Sequence, residues 1–281
     1  MQHAQPIGVF DSGYGGLTVL KEIVEKLPAY DYIYMGDNAR APYGNRSFET
    51  VYHYTLQCVK WFFQQGCPLV ILACNTASAK ALRTIQQNDL PKIDPNKRVL
   101  GVIRPTTEII GTFSECKSVG ILATNGTVQS QSYVIEIKKF FPGVNVSQEA
   151  CPMWVPLVEN NEQLGHGADF FVKKNIRELL AKDPMMDTVL LACTHYPLLK
   201  KKIEEYMPVD VKIVSQGEIV ANSLVDYLKR HTELEQQLSI NGGRLFYTTD
   251  SPADFDKHAV AFFGREVQSK HLDLEDFHTA P

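Results

Sequence analysis

Short apolar segments alternate with amphipathic helical patterns along most of this chain, and the alternation constrains its fold more than any other feature. Residues 68–73 (Pro-Leu-Val-Ile-Leu-Ala) form an uninterrupted apolar run, which is typical of a strand buried on both faces of a parallel sheet. Comparable segments lie at 7–10, 118–122 and 188–192, and each is followed by a helical pattern. The alternation predicts an α/β fold with doubly wound parallel sheets.

An internal similarity predicts two related halves. Residues 7–13 (Ile-Gly-Val-Phe-Asp-Ser-Gly) resemble residues 119–125 (Val-Gly-Ile-Leu-Ala-Thr-Asn), with an offset of 120 − 8 = 112 between their glycines. Two Ala-Cys sites that each follow an apolar strand, at Cys74 and Cys193, differ by 193 − 74 = 119. We therefore expect two similar domains related by pseudo-two-fold symmetry. Because ligands of α/β sheets bind beyond the carboxyl ends of the strands, the active site is expected in the cleft between them.

The length of 281 residues suffices for two domains. The polar segment 89–97 contains two prolines and is the best candidate for a linker. We expect residues 1–97 together with 212–281 to form the first α/β domain, and residues 98–211 to form the second.

Composition argues against several classes of partner. The formal net charge is -4, the pI is near 6.1, and no run of basic residues is present, so a nucleic-acid partner is not predicted. No apolar run approaches the roughly 20 residues of a membrane span, and the first residues do not resemble a signal peptide. We expect a cytoplasmic protein without membrane contact. The six cysteines lack zinc-binding spacing, so we expect free thiols and no metal.

Cys74 and Cys193 are each predicted at a strand end just before a helix. Unpaired backbone N–H groups and the helix dipole favour an anion at such a position. We therefore expect these thiols to titrate below the ordinary cysteine pKa of about 8.5. Two similar thiols suit a reaction that transfers protons at both faces of one carbon.

Polar residues beside the cysteines have structural as well as chemical interpretations. Asn75, Thr76 and Thr194 can cap helices, and with the helix amides they can bind a carboxylate. His195 is either an acid/base partner or a hydrogen bonder at a helix terminus. Asp11, at the tip of the first strand, can hold an ammonium group, orient a thiol, or cap the helix that follows.

Several segments, in order, resemble the signatures of the glutamate racemase family, within the cofactor-independent Asp/Glu racemase superfamily. They are residues 8–17 (GVFDSGYGGL), 41–44 (APYG), 73–77 (ACNTA), 121–128 (ILATNGTV), 151–159 (CPMWVPLVE) and 192–198 (ACTHYPL). The resemblance extends from residue 7 to about residue 199, with a looser match beyond.

The resemblance implies cofactor-independent interconversion of L- and D-glutamate by a homodimer, which supplies D-glutamate for peptidoglycan. Cys74 and Cys193 would flank the substrate Cα, one removing a proton as thiolate and the other returning one as thiol. Asp11 would support Cys74, and His195 with Glu159 would support Cys193. The residues implied to bind the amino acid are Asp11, Ser12, Pro42, Tyr43, Gly44, Asn75, Thr76, Thr124, Thr194 and His195.

The chain departs from the family pattern at two places outside the catalytic set. After residues 213–214 the family commonly has an acidic residue, whereas this chain has Ser215 and Gln216. Arg104 lies in a segment that usually carries a different side chain. These departures leave regulation and local domain contacts open.

Three other functions remain compatible with the sequence. One is a racemase of the same superfamily that acts on aspartate or another amino acid. Another is a non-enzymatic amino-acid-binding protein of α/β architecture. The third is a thiol-redox enzyme, in which the two sulfurs would form a bond and their Cα atoms would lie within about 7 Å.

Overall fold

The computed structural model describes residues 5–274, so residues 1–4 and 275–281 of the predicted first domain lie outside the described residues. The strands are β1 (Ile7–Asp11), β2 (Tyr32–Gly36), β3 (Leu69–Leu72), β4 (Arg98–Gly101), β5 (Ser118–Ala123), β6 (Asn145–Ala150), β7 (Thr188–Ala192), β8 (Lys212–Ser215), β9 (Arg244–Thr248) and β10 (Ser269–His271).

The α-helices are α1 (Leu17–Lys26), α2 (Phe48–Gln64), α3 (Asn75–Lys80), α4 (Leu82–Thr84), α5 (Leu90–Ile93), α6 (Ile103–Thr107), α7 (Asn125–Ser130), α8 (Ser132–Phe140), α9 (Trp154–Glu159), α10 (His166–Leu180), α11 (Lys200–Tyr206), α12 (Gly217–Arg230), α13 (Thr232–Glu235) and α14 (Pro252–Phe263). Short 3₁₀ turns occur at Asn38–Arg40, Tyr43–Asn45, Ile110–Phe113 and Tyr196–Leu199, and a π-helical turn at Ile85–Asp89.

Two parallel sheets organise the chain, and they repeat one topology. The first has the strand order β10-β9-β2-β1-β3-β4, and the second has the order β6-β5-β7-β8. The order β2-β1-β3-β4 in the first sheet therefore corresponds to β6-β5-β7-β8 in the second. Cys74 follows β3 and Cys193 follows β7, so the two cysteines occupy equivalent positions. The predicted fold class of two similar α/β halves is confirmed.

The predicted domain boundaries are each wrong by one strand. β4 pairs with β3 of the first sheet, and β8 pairs with β7 of the second, whereas boundaries at 97/98 and 211/212 placed each strand in the other half. Segment 89–97 does not link the halves, because it lies between β3 and β4 and both strands belong to the first sheet. It also contains α5, whose Pro91 lies in the first turn, where a missing N–H is tolerated. We propose instead that the second half spans residues 102–215.

Apolar residues on both faces of the first sheet are buried, as a doubly wound sheet requires. Ile7 and Val9 enter one hydrophobic cluster, while Phe10 and Leu72 enter another. The first cluster continues into the second half at Leu191, and α1 packs against α12. The two halves thus share a continuous core, which sets the position of one sheet relative to the other.

Some helix ends lie where the sequence pattern predicts them, and others do not. Ser47 is the N-cap of α2, and its hydroxyl oxygen accepts a hydrogen bond from the Thr50 N–H at 3.1 Å. Apolar spacing over residues 128–140 predicts one helix, but the left-handed backbone of Gln131 (φ 55°) separates α7 from α8. Within residues 5–274, no helix combines the length and the apolar character needed to cross a bilayer.

Candidate active site

A small cavity of about 70 Å³ lies between the carboxyl ends of the two sheets. Cys74 lines it from the first sheet and Cys193 from the second. The other predicted site residues that line it are Ser12, Pro42, Tyr43, Gly44, Asn75, Thr76, Thr124, Glu159, Thr194 and His195. The structure therefore brings together residues that are far apart in the sequence, although their individual roles remain predictions.

Cys74 is itself the N-cap of α3. Its Sγ accepts a hydrogen bond from the Ala77 N–H at 3.5 Å, and it lies 3.5 Å from the Ser12 hydroxyl oxygen. Asn75 and Thr76 lie inside the helix, so the interpretation of these two residues as caps is wrong. A cysteine takes the place that a serine or threonine usually fills.

Burial controls the titration of Cys74. It raises the pKa of the thiol to about 12, and the negative charge of Asp11 adds to this effect. The hydrogen bond with Ser12 and the one from the Ala77 N–H oppose the rise without reversing it. The expectation of a lowered pKa is wrong for Cys74, because desolvation of the thiolate outweighs the N-terminus of a helix of only six residues. Cys74 is a protonated thiol at neutral pH.

Cys193 lies beside a histidine and a carboxylate. The Nδ1 atom of His195 is 4.0 Å from Cys193 Sγ, and its Nε2 atom is 2.9 Å from Glu159 Oε1. Burial opposes the charging of His195, but hydrogen bonds to Cys193 and Glu159 and their negative charges raise its pKa to about 10. His195 is therefore an imidazolium at neutral pH, with one N–H directed to each partner.

Asp11 lies buried beneath the cavity and does not line it directly. Its Oδ1 accepts a hydrogen bond from the Gly13 N–H at 2.9 Å, whereas Oδ2 has no hydrogen-bond partner among residues 5–274. Burial raises the pKa of Asp11, and the positive charge of His195 opposes that rise. Gly16 is the N-cap of α1 and no side chain caps it, so helix capping does not explain Asp11.

The halves contact each other directly around the cavity. The hydroxyl oxygens of Thr76 and Thr124 are 3.0 Å apart, and Thr18 donates to the carbonyl of Thr194 at 3.0 Å. At Gly15, a Cβ atom would lie only 2.2 Å from Thr194 Oγ1 and 2.5 Å from His195 Nδ1. Only glycine allows the first loop to approach the Cys193 loop this closely.

A partly buried ion pair holds the loop that carries Pro42, Tyr43 and Gly44. Arg40 Nε donates to Asp37 at 2.7 Å, and the Tyr43 hydroxyl also donates to Asp37. Asp37 is fully buried just after β2. The Tyr43 hydroxyl is thus engaged by Asp37, and the loop presents its other groups to the cavity.

One wall of the cavity was not predicted. It is formed by Cys151, Pro152, Val155 and Pro156, around the start of α9. Cys151 directly follows β6, and Thr124 directly follows β5, the strand with which β6 pairs. The position of Cys151 at a strand end is the sequence signal that could have identified it. Burial raises the pKa of Cys151 well above its ordinary value. All six cysteines are free thiols, as predicted.

Acidic, histidine and cysteine side chains in the described part of the chain form no group of three that could hold a metal ion. A protonated thiol approaches from one sheet, and a second sulfur beside an imidazolium approaches from the other. Such a pair can donate a proton and accept one at the same bound molecule.

This fold and the motifs around the cavity are those of a racemase family. Residues 7–224 match the Asp/Glu/Hydantoin racemase family, and the chain belongs to that family. It is therefore an isomerase, and the similarity of its sequence motifs to those of glutamate racemases is confirmed by whole-chain comparisons.

Three similar proteins show the extent of the likeness. The chain is 37% identical to the glutamate racemase of Dinoroseobacter shibae, over 95% of this chain and 98% of that protein. The fold matches glutamate racemase isoform RacE1 from Bacillus anthracis with a TM-score of 0.87 and 33% identity, covering 98% of this chain and 99% of that one. It matches glutamate racemase from Francisella tularensis, solved with D-glutamate, with a TM-score of 0.86 and 30% identity, covering 98% and 100%.

Proposed function

We propose that this chain interconverts L- and D-glutamate by proton transfer at Cα, with Cys74 and Cys193 as the two acid/base groups. The observation that carries the proposal is the equivalent position of the two cysteines, each after the third strand of its own sheet and both lining one cavity. The choice of glutamate as substrate rests on the similarity to glutamate racemases over nearly the whole chain.

The protonation of the site supports a reaction that needs one acid and one base. Cys74 holds its proton, because burial raises the pKa of its thiol to about 12. His195 Nδ1 lies 4.0 Å from Cys193 Sγ, so the imidazolium places a positive charge beside the second sulfur. In one direction Cys193 takes the proton from Cα, and Cys74 gives its proton to the opposite face. The net result is one inverted carbon and a proton moved from Cys74 to Cys193.

Neighbouring residues can hold the substrate during this transfer. Asp11 lies beneath the cavity lining, so it would act on the ammonium group of the substrate through its charge rather than by direct contact. The hydroxyls of Ser12, Thr76, Thr124 and Thr194 and nearby backbone N–H groups are candidate donors to carboxylates. Donors fixed in advance around the α-carboxylate would stabilise the negative charge that develops when Cα loses its proton.

The wider role is proposed from the resemblance to glutamate racemases. We propose that the protein acts as a homodimer in the cytoplasm and supplies D-glutamate for peptidoglycan. Because side chains of this chain make both proton transfers, the proposed reaction requires no cofactor. The molecular mass in solution tests the dimer.

The direct test is exchange in deuterium oxide. The purified protein is incubated with L- or D-glutamate, and the loss of the Cα proton signal and of optical activity is followed over time. We expect both reactions to end at equal amounts of the two enantiomers, because mirror-image molecules have equal free energies. Cys74→Ser and Cys193→Ser should each lower the rate by about 10²- to 10⁴-fold, since a general acid or base is lost.

Cys116→Ser is the matched control, because Cys116 is exposed and remote from the cavity lining. Exchange on aspartate but not on glutamate would assign a different substrate. Glutamate binding without exchange would indicate a binding protein. Rapid formation of a Cys74–Cys193 disulfide without backbone rearrangement would favour a redox enzyme.

A further inference from the structure

A closed ring of hydrogen bonds lies behind the cavity and joins three buried side chains. The Tyr133 hydroxyl donates to Asn75 Oδ1 at 2.5 Å, and Asn75 Nδ2 donates to Gln216 Oε1 at 2.8 Å. Gln216 Nε2 closes the ring by donating to the Tyr133 hydroxyl oxygen at 2.6 Å. All three residues are buried. Each member of the ring thus both donates and accepts, and the orientations of both amides are determined.

The ring connects the elements that carry the two cysteines. Asn75 is the first residue of α3 and follows Cys74 directly. Gln216 follows β8, which pairs with β7, the strand that leads to Cys193. Tyr133 is on α8 in the second half. A displacement of α3 relative to the second sheet would therefore break hydrogen bonds that buried groups cannot replace with water.

Gln216 lies at one of the two places where this chain departs from the family pattern. Besides the ring, its Nε2 is 3.0 Å from Thr106 Oγ1 and 3.4 Å from the Val102 carbonyl. Among the three ring residues, only Asn75 lines the cavity. Tyr133 and Gln216 do not line the cavity, so they can act on the site through Asn75 and through the position of α3.

We propose that Tyr133 and Gln216 are positioning residues that hold Cys74 in line with Cys193 across the bound substrate. The inference rests on the proposed two-cysteine reaction and adds to it the residues that set the alignment of the two sulfurs. Proton transfer is sensitive to such alignment, and an error of about 1 Å in the position of a reacting group can cost about 10²-fold in rate.

Two variants break the ring at different bonds. Tyr133→Phe removes the hydroxyl with almost no change in volume, and Gln216→Met keeps the length of the side chain but removes its amide. Thr106→Val is the matched control, because it deletes a buried hydroxyl that bonds to Gln216 without belonging to the ring. For each protein, kcat and KM are measured in both directions with glutamate, and the thermal midpoint is recorded.

We expect both ring variants to lower kcat by about 10- to 100-fold, whereas KM changes much less because the substrate-contacting groups remain. Thr106→Val should lose thermal stability but keep the kcat of the parent protein. If kcat falls as much in Thr106→Val as in Tyr133→Phe, the ring has only a structural role and the inference is overturned. Ring variants with the kcat of the parent would also overturn it, while an inactive parent protein would instead contradict the proposed function.

Discussion

His195 and Glu159 form a partly buried pair in which Nε2 and Oε1 are 2.9 Å apart. The pair comes from two separate elements of the second half, the loop after β7 and the end of α9. It also extends to α14, because His258 Nε2 lies 3.1 Å from the Glu159 carbonyl oxygen. The charge on His195 is therefore maintained by groups that the fold brings together, and its consequences can be measured.

Glu159→Gln should make stability depend on pH in a defined way. The pKa of His195 is raised from 6.5 to about 10, so the corresponding stabilisation is complete below about pH 6.5 and is lost as the pH rises towards 10. Removing the carboxylate lowers that pKa. The parent protein should therefore have a higher free energy of unfolding than the variant. We expect this difference to be largest near pH 6 and smallest near pH 10.

Urea denaturation at about pH 6, 8 and 10 measures this difference. Glu49→Gln is the control, because Glu49 pairs with His53 at 3.8 Å on the surface and contributes little. A difference between parent and Glu159→Gln that does not change with pH would contradict an imidazolium at His195.

Gly15→Ala should impair catalysis through a steric clash. The new methyl group would meet Thr194 Oγ1 at 2.2 Å and His195 Nδ1 at 2.5 Å, so the loop after Cys193 must move. We expect the racemisation rate to fall by about 10- to 100-fold because a reacting group is displaced. Gly143→Ala serves as the control, since no atom lies within 4 Å of its Cβ position. Equal rates for the two variants would show that the close approach at Gly15 is unimportant.

Asp37→Ala should be destabilising. It leaves the Arg40 guanidinium without its carboxylate and removes the acceptor of the Tyr43 hydroxyl. The Arg40 side chain is partly exposed, whereas the Tyr43 hydroxyl is buried, and a buried donor left without its acceptor costs about 1–3 kcal/mol, which chemical denaturation can measure. Arg104→Ala breaks the exposed Arg104–Glu108 pair of 2.8 Å and should cost at most about 1 kcal/mol. A similar small loss for Asp37→Ala would mean that the loop is held by other contacts.

Treatment with reagents that remove metals or block carbonyl cofactors should leave the proposed racemisation unchanged. Both proton transfers are assigned to cysteine side chains, so neither EDTA nor hydroxylamine should alter the initial rate. Iodoacetamide, which alkylates thiols, is the positive control and should abolish activity. A loss of activity with EDTA that added metal restores would refute the cofactor-independent mechanism.

The sequence predicted strand ends better than it predicted which sheet a strand joins. Buried apolar runs and the residues after them have local signatures, and these identified Asp11, Cys74, Thr124 and Cys193. The partner of β4 has no such signature, so β4 was assigned to the wrong half. The internal repeat predicts the correct assignment. β8 begins 212 − 98 = 114 residues after β4, an offset between the 112 and 119 of the other repeated segments, so β4 and β8 are equivalent strands of the two halves.

Properties that depend on distant contacts were not predicted. The helix N-terminus predicts a low pKa for Cys74, but burial of the thiol in the folded protein reverses this effect. The ring of Asn75, Tyr133 and Gln216 joins residues 58 and 141 positions apart, which no local pattern relates. The family resemblance includes Cys151 but implies no role for it in the site.

The contact between Gln216 and the Val102 carbonyl has a consequence for how the chain is threaded. These residues stand at the two crossings between the sheets, so the chain enters and leaves the second sheet through one small area. The second sheet is therefore an insertion between β4 and β9 of the first sheet. The entropy of closing a chain segment grows only slowly with the length of the segment. Residues can therefore be added to or removed from the surface loops of the second half while Cys74 and the first sheet stay in place.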